Sequence, residues 1–327
     1  MERFVFVAAV TFAVIFAFVA MVGRDHILFE IGDHEGGKAA LASAAPGQMA
    51  ATAYSGDVLV IRHTAAHITI TPEDRTDFSV EISNPGRAPM PLISTRNGDV
   101  NIDGQLRGRV DACRDAGAVN LEGYGELTLA DLPQITIRAP RTLRLSIGGG
   151  STTEIGPGEA VDLDFLGCGA VTIGDLAGAL DVEIAGSGAV IAGAARSLNA
   201  DLMGSGDLTT GAIGERATID ATGSGSVTIA SLTGELTSDG LGSGDVVIQG
   251  GAVTNANVET AGSGSVRIAA PVRNLTVDII GSGDVAVAGV VGDLNAEIAG
   301  PGSVSARAVT GRQQQEIMGS GSVNIGE

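Results

Sequence analysis

The chain has 327 residues, 49 of them glycine, with 3% aromatic residues, no tryptophan and one lysine, Lys38, against a formal net charge of −19. So thin a supply of large aromatics excludes an ordinary globular enzyme core and suits thin, evenly spaced layers filled by Val, Ile, Leu and Ala. So acidic a surface excludes nucleic acid and anionic lipid, which need clustered cations, and also serves solubility.

Residues 4–22 carry no charge, have Thr11 as their one polar side chain, and hold five of the eight phenylalanines. Nineteen such residues as a helix reach about 29 Å, enough to cross a bilayer. A secretory signal peptide is the competing reading, but neither Phe18-Val19-Ala20 nor Met21-Val22-Gly23 makes a good small-x-small cleavage site. The expectation is therefore an N-terminal apolar helix over 1–23, a transmembrane anchor or signal peptide with the uncleaved anchor favoured. Either one exports the rest of the chain. Residues 24–51 mix Gly, Ala and Ser with a few charges and read as a flexible linker.

From residue 52 the pattern turns β-like. The segments 56–63 (GDVLVIRH), 67–72 (HITITP), 77–83 (DFSVEIS) and 97–104 (NGDVNIDG) alternate apolar with polar residues. They are expected to be irregular coils with unequal loops over 52–147, in one folded domain covering 52–327. His63 and His67 form an H-x3-H pair, but zinc needs three or four ligands, and Cys113 is the only soft candidate before the repeats. Two surface histidines either side of a strand turn are expected instead. Asp111, Arg114 and Asp115 around Cys113 are the first candidates for a polar site, against plain loop decoration.

One phrase then recurs: GGGST at Gly148, GCGAV at Gly167, GSGAV at Gly186, GSGDL at Gly204, GSGSV at Gly223 and GSGDV at Gly242. It continues as GSGSV at Gly262, GSGDV at Gly281, GPGSV at Gly300 and GSGSV at Gly319, every step falling between 18 and 20 residues. That regularity is a solenoid signature. Four residues after the first glycine stand Val171, Val190, Leu208, Val227, Val246, Val266, Val285, Val304 and Val323. Before the turn, Leu180, Leu198, Leu236, Leu275 and Leu294 share another offset, and Ile184, Leu202, Ile279, Ile298 and Ile317 a third. These alternate with polar positions, as in strands with one buried face. A hexapeptide helix would need 18-residue coils of three like sixths, which are not seen. The expected fold is all-β, a right-handed parallel β-helix of about 19 residues per coil.

Cys113 and Cys168 lie nearly three periods apart. In regular coils about 4.8 Å apart they would sit roughly 14 Å from one another, beyond disulfide reach. Free thiols are expected unless Cys113 lies on a folded-back loop. The fourth turn position reads Asp207, Ser226, Asp245, Ser265, Asp284, Ser303 and Ser322, never Asp in successive coils. Calcium would need an acidic residue in every turn, so the alternation suggests avoidance of a charge ladder. In the last coil, Gln313 and Gln315 replace apolar residues, which points either to open strand edges suited to end-to-end self-association or to a polar terminal coil.

The GSGDV-type turns, their 19-residue period and the N-terminal apolar segment together resemble the bacterial GIN-domain proteins (DUF2807), a family named for autotransporter adhesin head domains. The resemblance runs from about Thr52 and is strongest from Gly148 to Val323. It implies an exported β-helical domain with no catalytic residues to carry over, although no membrane-barrel strands follow the repeats. The expected function is a non-enzymatic exported envelope protein, an adhesin-like, scaffold or interaction domain, in the periplasm or at the cell surface. Its partner would be an unidentified envelope protein or glycan. The alternatives are a polysaccharide-acting β-helix lyase or hydrolase, or a filament-forming scaffold. Against an enzyme, Arg196, Arg216, Arg267, Arg273, Arg307 and Arg312 are the only basic residues from Gly148 onward, and none recurs in neighbouring coils at one offset. No catalytic, metal or cofactor motif is present.

Overall fold

The computed structural model describes residues 41–113 and 118–326. The expected N-terminal helix and most of the expected linker lie outside them. Among the described residues no helix is long and apolar enough to cross a membrane.

The first strand, β1 (Gly47–Tyr54), begins inside the stretch expected as linker, and a bridge from Ala44 to Pro89 holds the residues before it. There follow β2 (Val58–Thr64), β3 (His67–Glu73), β4 (Phe78–Asn84), β5 (Leu92–Arg96) and β6 (Asp99–Asp103). Next come the short β7 (Val110–Cys113), β8 (Val119–Leu121) and β9 (Gly125–Leu127), then β10 (Gln134–Pro140), β11 (Thr142–Gly149) and β12 (Thr152–Ile155). Residues 52–147 are not a run of irregular coils, as the alternation suggested. Only β2 and β3 form a coil, stacked in parallel against β11 and β12 with Thr64 opposite Gly149. The chain between them folds back over the end of the stack. There β6 lies parallel to β2, and β5 antiparallel to β6. On the neighbouring side β10 runs parallel to β3, β4 antiparallel to β10, and β1 antiparallel to β4. Antiparallel strands end the parallel ladder here, with β1 and β5 outermost.

Within the fold-back, β7, β8 and β9 make a separate antiparallel sheet over a cluster that includes Leu106, Val119, Leu121, Leu127 and Leu132. This is the folded-back loop on which the cysteine expectation turned. It carries Cys113 to the corner of a coil far along the sequence, where Cys113 and Cys168 form a disulfide with Cα atoms 5.6 Å apart. The free-thiol expectation fails because Cys113 does not lie in a regular coil.

From β11 onward the chain winds as a parallel β-solenoid of about ten turns. Each coil pairs with the next in register, so one sequence offset becomes one column. Gly149, not Gly148, stands opposite Gly167, followed by Gly186, Gly204, Gly223, Gly242 and Gly262. The two apolar columns on either side of the turn point inward. One runs Phe165, Ile184, Leu202, and another Val227, Val246, Val266, all buried. Each such side chain removed from water contributes about 1.5–3 kcal/mol.

The corner glycines are sterically required. Gly262 sits at φ +139°, and a Cβ there would strike the carbonyl oxygen of Gly242 in the coil before. A Cβ on Gly264, two residues on, would strike that of Gly244. The serine between them points outward and is exposed. The last coil pairs its Gln313–Met318 strand with 294–299 and its Ser322–Ile325 strand with 303–306. Gln313 and Gln315 stand opposite Leu294 and Ala296, and all of Gln313–Met318 is exposed.

Two outcomes follow. The unfolded, unreduced protein should take up no thiol-alkylating reagent, and two equivalents after reduction, by mass spectrometry. Cys168→Ser should lower stability by about 2–4 kcal/mol, the usual worth of a native cross-link. Gly262→Ala should cost about 1–3 kcal/mol for its backbone angle alone, and more for the overlap, in urea unfolding. Ser263→Ala beside it should stay within about 0.5 kcal/mol.

Candidate functional site

The residues singled out in sequence do not assemble into a centre. His63 is the penultimate residue of β2 and its Nδ1 stands 3.4 Å from Asp103 Oδ2, while its partial burial lowers its pKa despite that carboxylate. His67 opens β3 with Nδ1 buried and without a hydrogen-bond partner. The two flank the turn between β2 and β3, as expected, and each is half-buried. Asp111 is an exposed residue of β7, and Arg114 and Asp115 lie outside the described residues. Among the described residues no group of three or more His, Cys, Asp or Glu side chains could hold a metal ion.

The alternating turn column is present, but charge avoidance is not its main cause. Each aspartate grips the serine stacked on it. Ser226 N–H donates to Asp207 Oδ1 at 2.9 Å. Ser265 donates to Asp245 Oδ1 through N–H at 2.9 Å and Oγ at 2.6 Å, and Ser303 does the same to Asp284 at 3.0 and 2.6 Å. Asp-then-Ser is a donor–acceptor unit spanning two coils. The Ser265 hydroxyl in particular, with its N–H and Arg267, holds the Asp245 carboxyl below the usual carboxylate range.

One offset that the sequence analysis left unread forms the very ladder that the turn column was taken to avoid. Three residues before each corner glycine, successive coils place Asp164, Glu183, Asp201, Asp220, Asp239, Glu259, Asp278, Glu297 and Glu316 opposite one another. Nine carboxylates thus stand in nine consecutive coils, about 4.8 Å apart. Aligning the coils on their glycines exposes this row in the sequence itself.

The flanking columns sharpen the character of this face. On one side the register runs Asp162 and Asp181, then without charge through Asn199, Thr218, Thr237, Asn257, Thr276, Asn295 and Gln314. On the other it runs Leu166, Ala185, Met203, Thr222, Leu241, Ala261, Ile280, Ala299 and Met318. Large and small alternate without a break. Met203, Leu241, Ile280 and Met318 are each about half exposed. Nearby arginines are engaged along the next corner: Arg196 with Glu215 at 2.8 Å, Arg216 with Glu235 at 3.1 Å and Arg312 with Asp293 at 3.1 Å.

Behind the middle of the ladder the core is thin. Ala221, Gly240 and Thr260 succeed one another in the inner column that elsewhere holds Phe, Ile and Leu. They leave a hollow with about 20 Å³ of room for the centre of a water molecule, enough for one. Thr260 Oγ1 lines it, buried and without a protein partner.

Burial, with like charge beside it, raises the proton affinity of two carboxyls in the row. Partial burial, then the charges of Glu259 and Asp220 and a hydrogen bond with Asp220, push Asp239 up to about 7. Desolvation, with Glu297 and Glu259, pushes Asp278 up to about 6. Both groups keep protons in the folded chain that the unfolded chain gives up near pH 4. Their contribution to stability is therefore fully present below about pH 4 and is lost as pH rises through 6 and 7. Thermal melts should show Tm falling from pH 4.5 to pH 8. Asp239→Asn should flatten that slope and raise Tm at pH 8 by about 2–4 °C, the effect of roughly 1 kcal/mol in a large domain.

The family model described as "Putative auto-transporter adhesin, head GIN domain" (DUF2807) matches residues 97–252 and 239–326. None of the curated proteins compared with the chain matches it. Among solved structures, a "putative lipid binding protein" from Parabacteroides distasonis is 17% identical with a TM-score of 0.44, over 87% of this chain and 98% of its own. A "putative adhesin" from the same species is 14% identical with a TM-score of 0.42, over 87% and 99%. Another from Bacteroides fragilis is 14% identical with a TM-score of 0.33, over 86% and 98%. With its repeats matched from residue 97 to residue 326, the chain belongs to the GIN-domain family.

Proposed function

We propose that this chain is an exported, non-enzymatic envelope protein that binds a partner through its solenoid, as an adhesin-like or scaffold domain. The stack is read as right-handed, the hand that parallel crossover connections adopt. The observation that carries the reading is the long outward face of columns held in register, the carboxylate row with the half-exposed apolar row beside it. Solenoids use such extended surfaces for binding. Hydrolysis or elimination on a polysaccharide needs a small set of converging groups at unlike positions. Here the acidic residues repeat uniformly, and the nearby arginines are tied into ion pairs.

Export is supported by the disulfide, since such cross-links persist mainly in oxidising compartments. In this reading the apolar N-terminal segment, residues 1–23, carries the chain across the membrane and holds it at the envelope. Two measurements test the proposal. Incubation of the purified protein with envelope and extracellular polysaccharides should release no new reducing or unsaturated ends, and clear depolymerisation would refute the non-enzymatic reading. Fractionation should place the chain in the envelope, and recovery from the cytoplasm with reduced cysteines would refute export.

A further inference from the structure

The carboxylate row has apolar side chains beside it, and Arg144, in a flanking column one coil before the row, pairs with Asp162 at 3.3 Å. Across the three outward columns from Asp162 to Met318 stand acidic, amide, hydroxyl, small and apolar residues, and no Arg or Lys. A second observation, independent of charge, is the spacing of the apolar row. Met203, Leu241, Ile280 and Met318 recur every second coil, about 9.6 Å apart, each about half exposed and separated by Thr222, Ala261 and Ala299. The small residues leave recesses between the large ones, so the row is notched rather than smooth. The nine carboxylates span about 38 Å along the solenoid, eight coil spacings.

We propose that this face docks a basic, amphipathic polypeptide segment of another protein, laid lengthwise along the solenoid. The inference rests on the binding-module reading above and names the chemistry of the partner. Cationic side chains of the segment would sit over the carboxylate row, and its apolar side chains would enter the notches between Met203, Leu241, Ile280 and Met318. An extended segment covering the row needs about twelve residues at 3.3 Å each. Charge complementarity selects a cationic partner and repels nucleic acid and anionic membrane. A bare metal ion would gain nothing from the apolar row, and no three side chains converge to hold one among the described residues.

The probe is a labelled twelve-residue peptide alternating Lys and Leu, titrated into the full chain by fluorescence anisotropy at low and moderate salt. Two controls replace every Leu by Gly, or every Lys by Glu. Two variants test the face: Asp220→Asn/Asp239→Asn/Glu259→Gln for the carboxylates, and Met203→Ser/Leu241→Ser/Ile280→Ser for the notches. Melting curves establish that each variant is folded.

The Lys–Leu peptide should bind, lose at least tenfold in affinity to the amide variant and at least fivefold to the serine variant. The Lys–Gly peptide should bind at least fivefold more weakly, and the Glu–Leu peptide not at all. Equal binding of the Lys–Leu and Lys–Gly peptides would overturn the proposal, because charge alone would then account for it. So would binding that neither variant weakens, or no binding to the folded wild-type chain. Stoichiometric calcium binding that the amide variant abolishes, with peptide affinity unmoved by the serine variant, would also overturn it in favour of a metal-binding face. All of these failures leave the non-enzymatic, exported reading standing, since that reading falls only to polysaccharide turnover or to cytoplasmic recovery.

Discussion

Everything in this fold depends on the parallel backbone ladder between coils. Each coil donates to and accepts from its neighbours at a spacing of about 4.8 Å. A residue therefore meets its own kind above and below. Apolar residues gain from that repetition, since a stacked Val or Ile fills the space left by the previous one. Glycine is required at the corners, where the carbonyl of one coil lies where the next would place a Cβ. Charged residues lose by it, because like charges are brought to one spacing with no choice of distance.

The two acidic columns show different answers to that loss. At the turn, aspartate is placed in alternate coils and each carboxylate is capped by the serine stacked on it. Along the flat face, carboxylates occupy every coil, and the cost appears as raised proton affinity at Asp239 and Asp278. Asp220 and Asp239 share a hydrogen bond, which only a protonated member can donate. The thin core at Ala221, Gly240 and Thr260 lies directly behind this crowded segment. A fold whose core needs only its inward columns has no structural use for such a row.

The solenoid was legible in the sequence because its columns are long and nearly uniform. The glycine corner recurs at every step, and Val follows it at a constant offset. The end structure was not legible. β4 and β10 alternate apolar and polar residues just as a coil does, and nothing local tells a strand that takes an antiparallel partner from one that only stacks in parallel. Cys113 was misjudged for the same reason: its distance from Cys168 along the stack says nothing once β7 to β9 fold back. The carboxylate row was fully written in the sequence and needed only one more offset to be read. The hollow at Thr260 needed the structure, since it arises from three small inner residues meeting across three coils.

The outer surface repeats with a period of two coils, whereas the core repeats with a period of one. Met203 and Asp207 share a coil, as do Leu241 and Asp245, and Ile280 and Asp284, with small side chains and serine in the coils between. Gain or loss of a single coil would leave the core packed yet set aspartate against aspartate, or serine against serine, at the seam. It would also bring two large outer side chains together and put the row out of step beyond that point. Changes by pairs of coils preserve both. From Met203 to Ser303 the repeating unit of these two outer columns is therefore two coils, about 38 residues, twice the unit that the core alone needs.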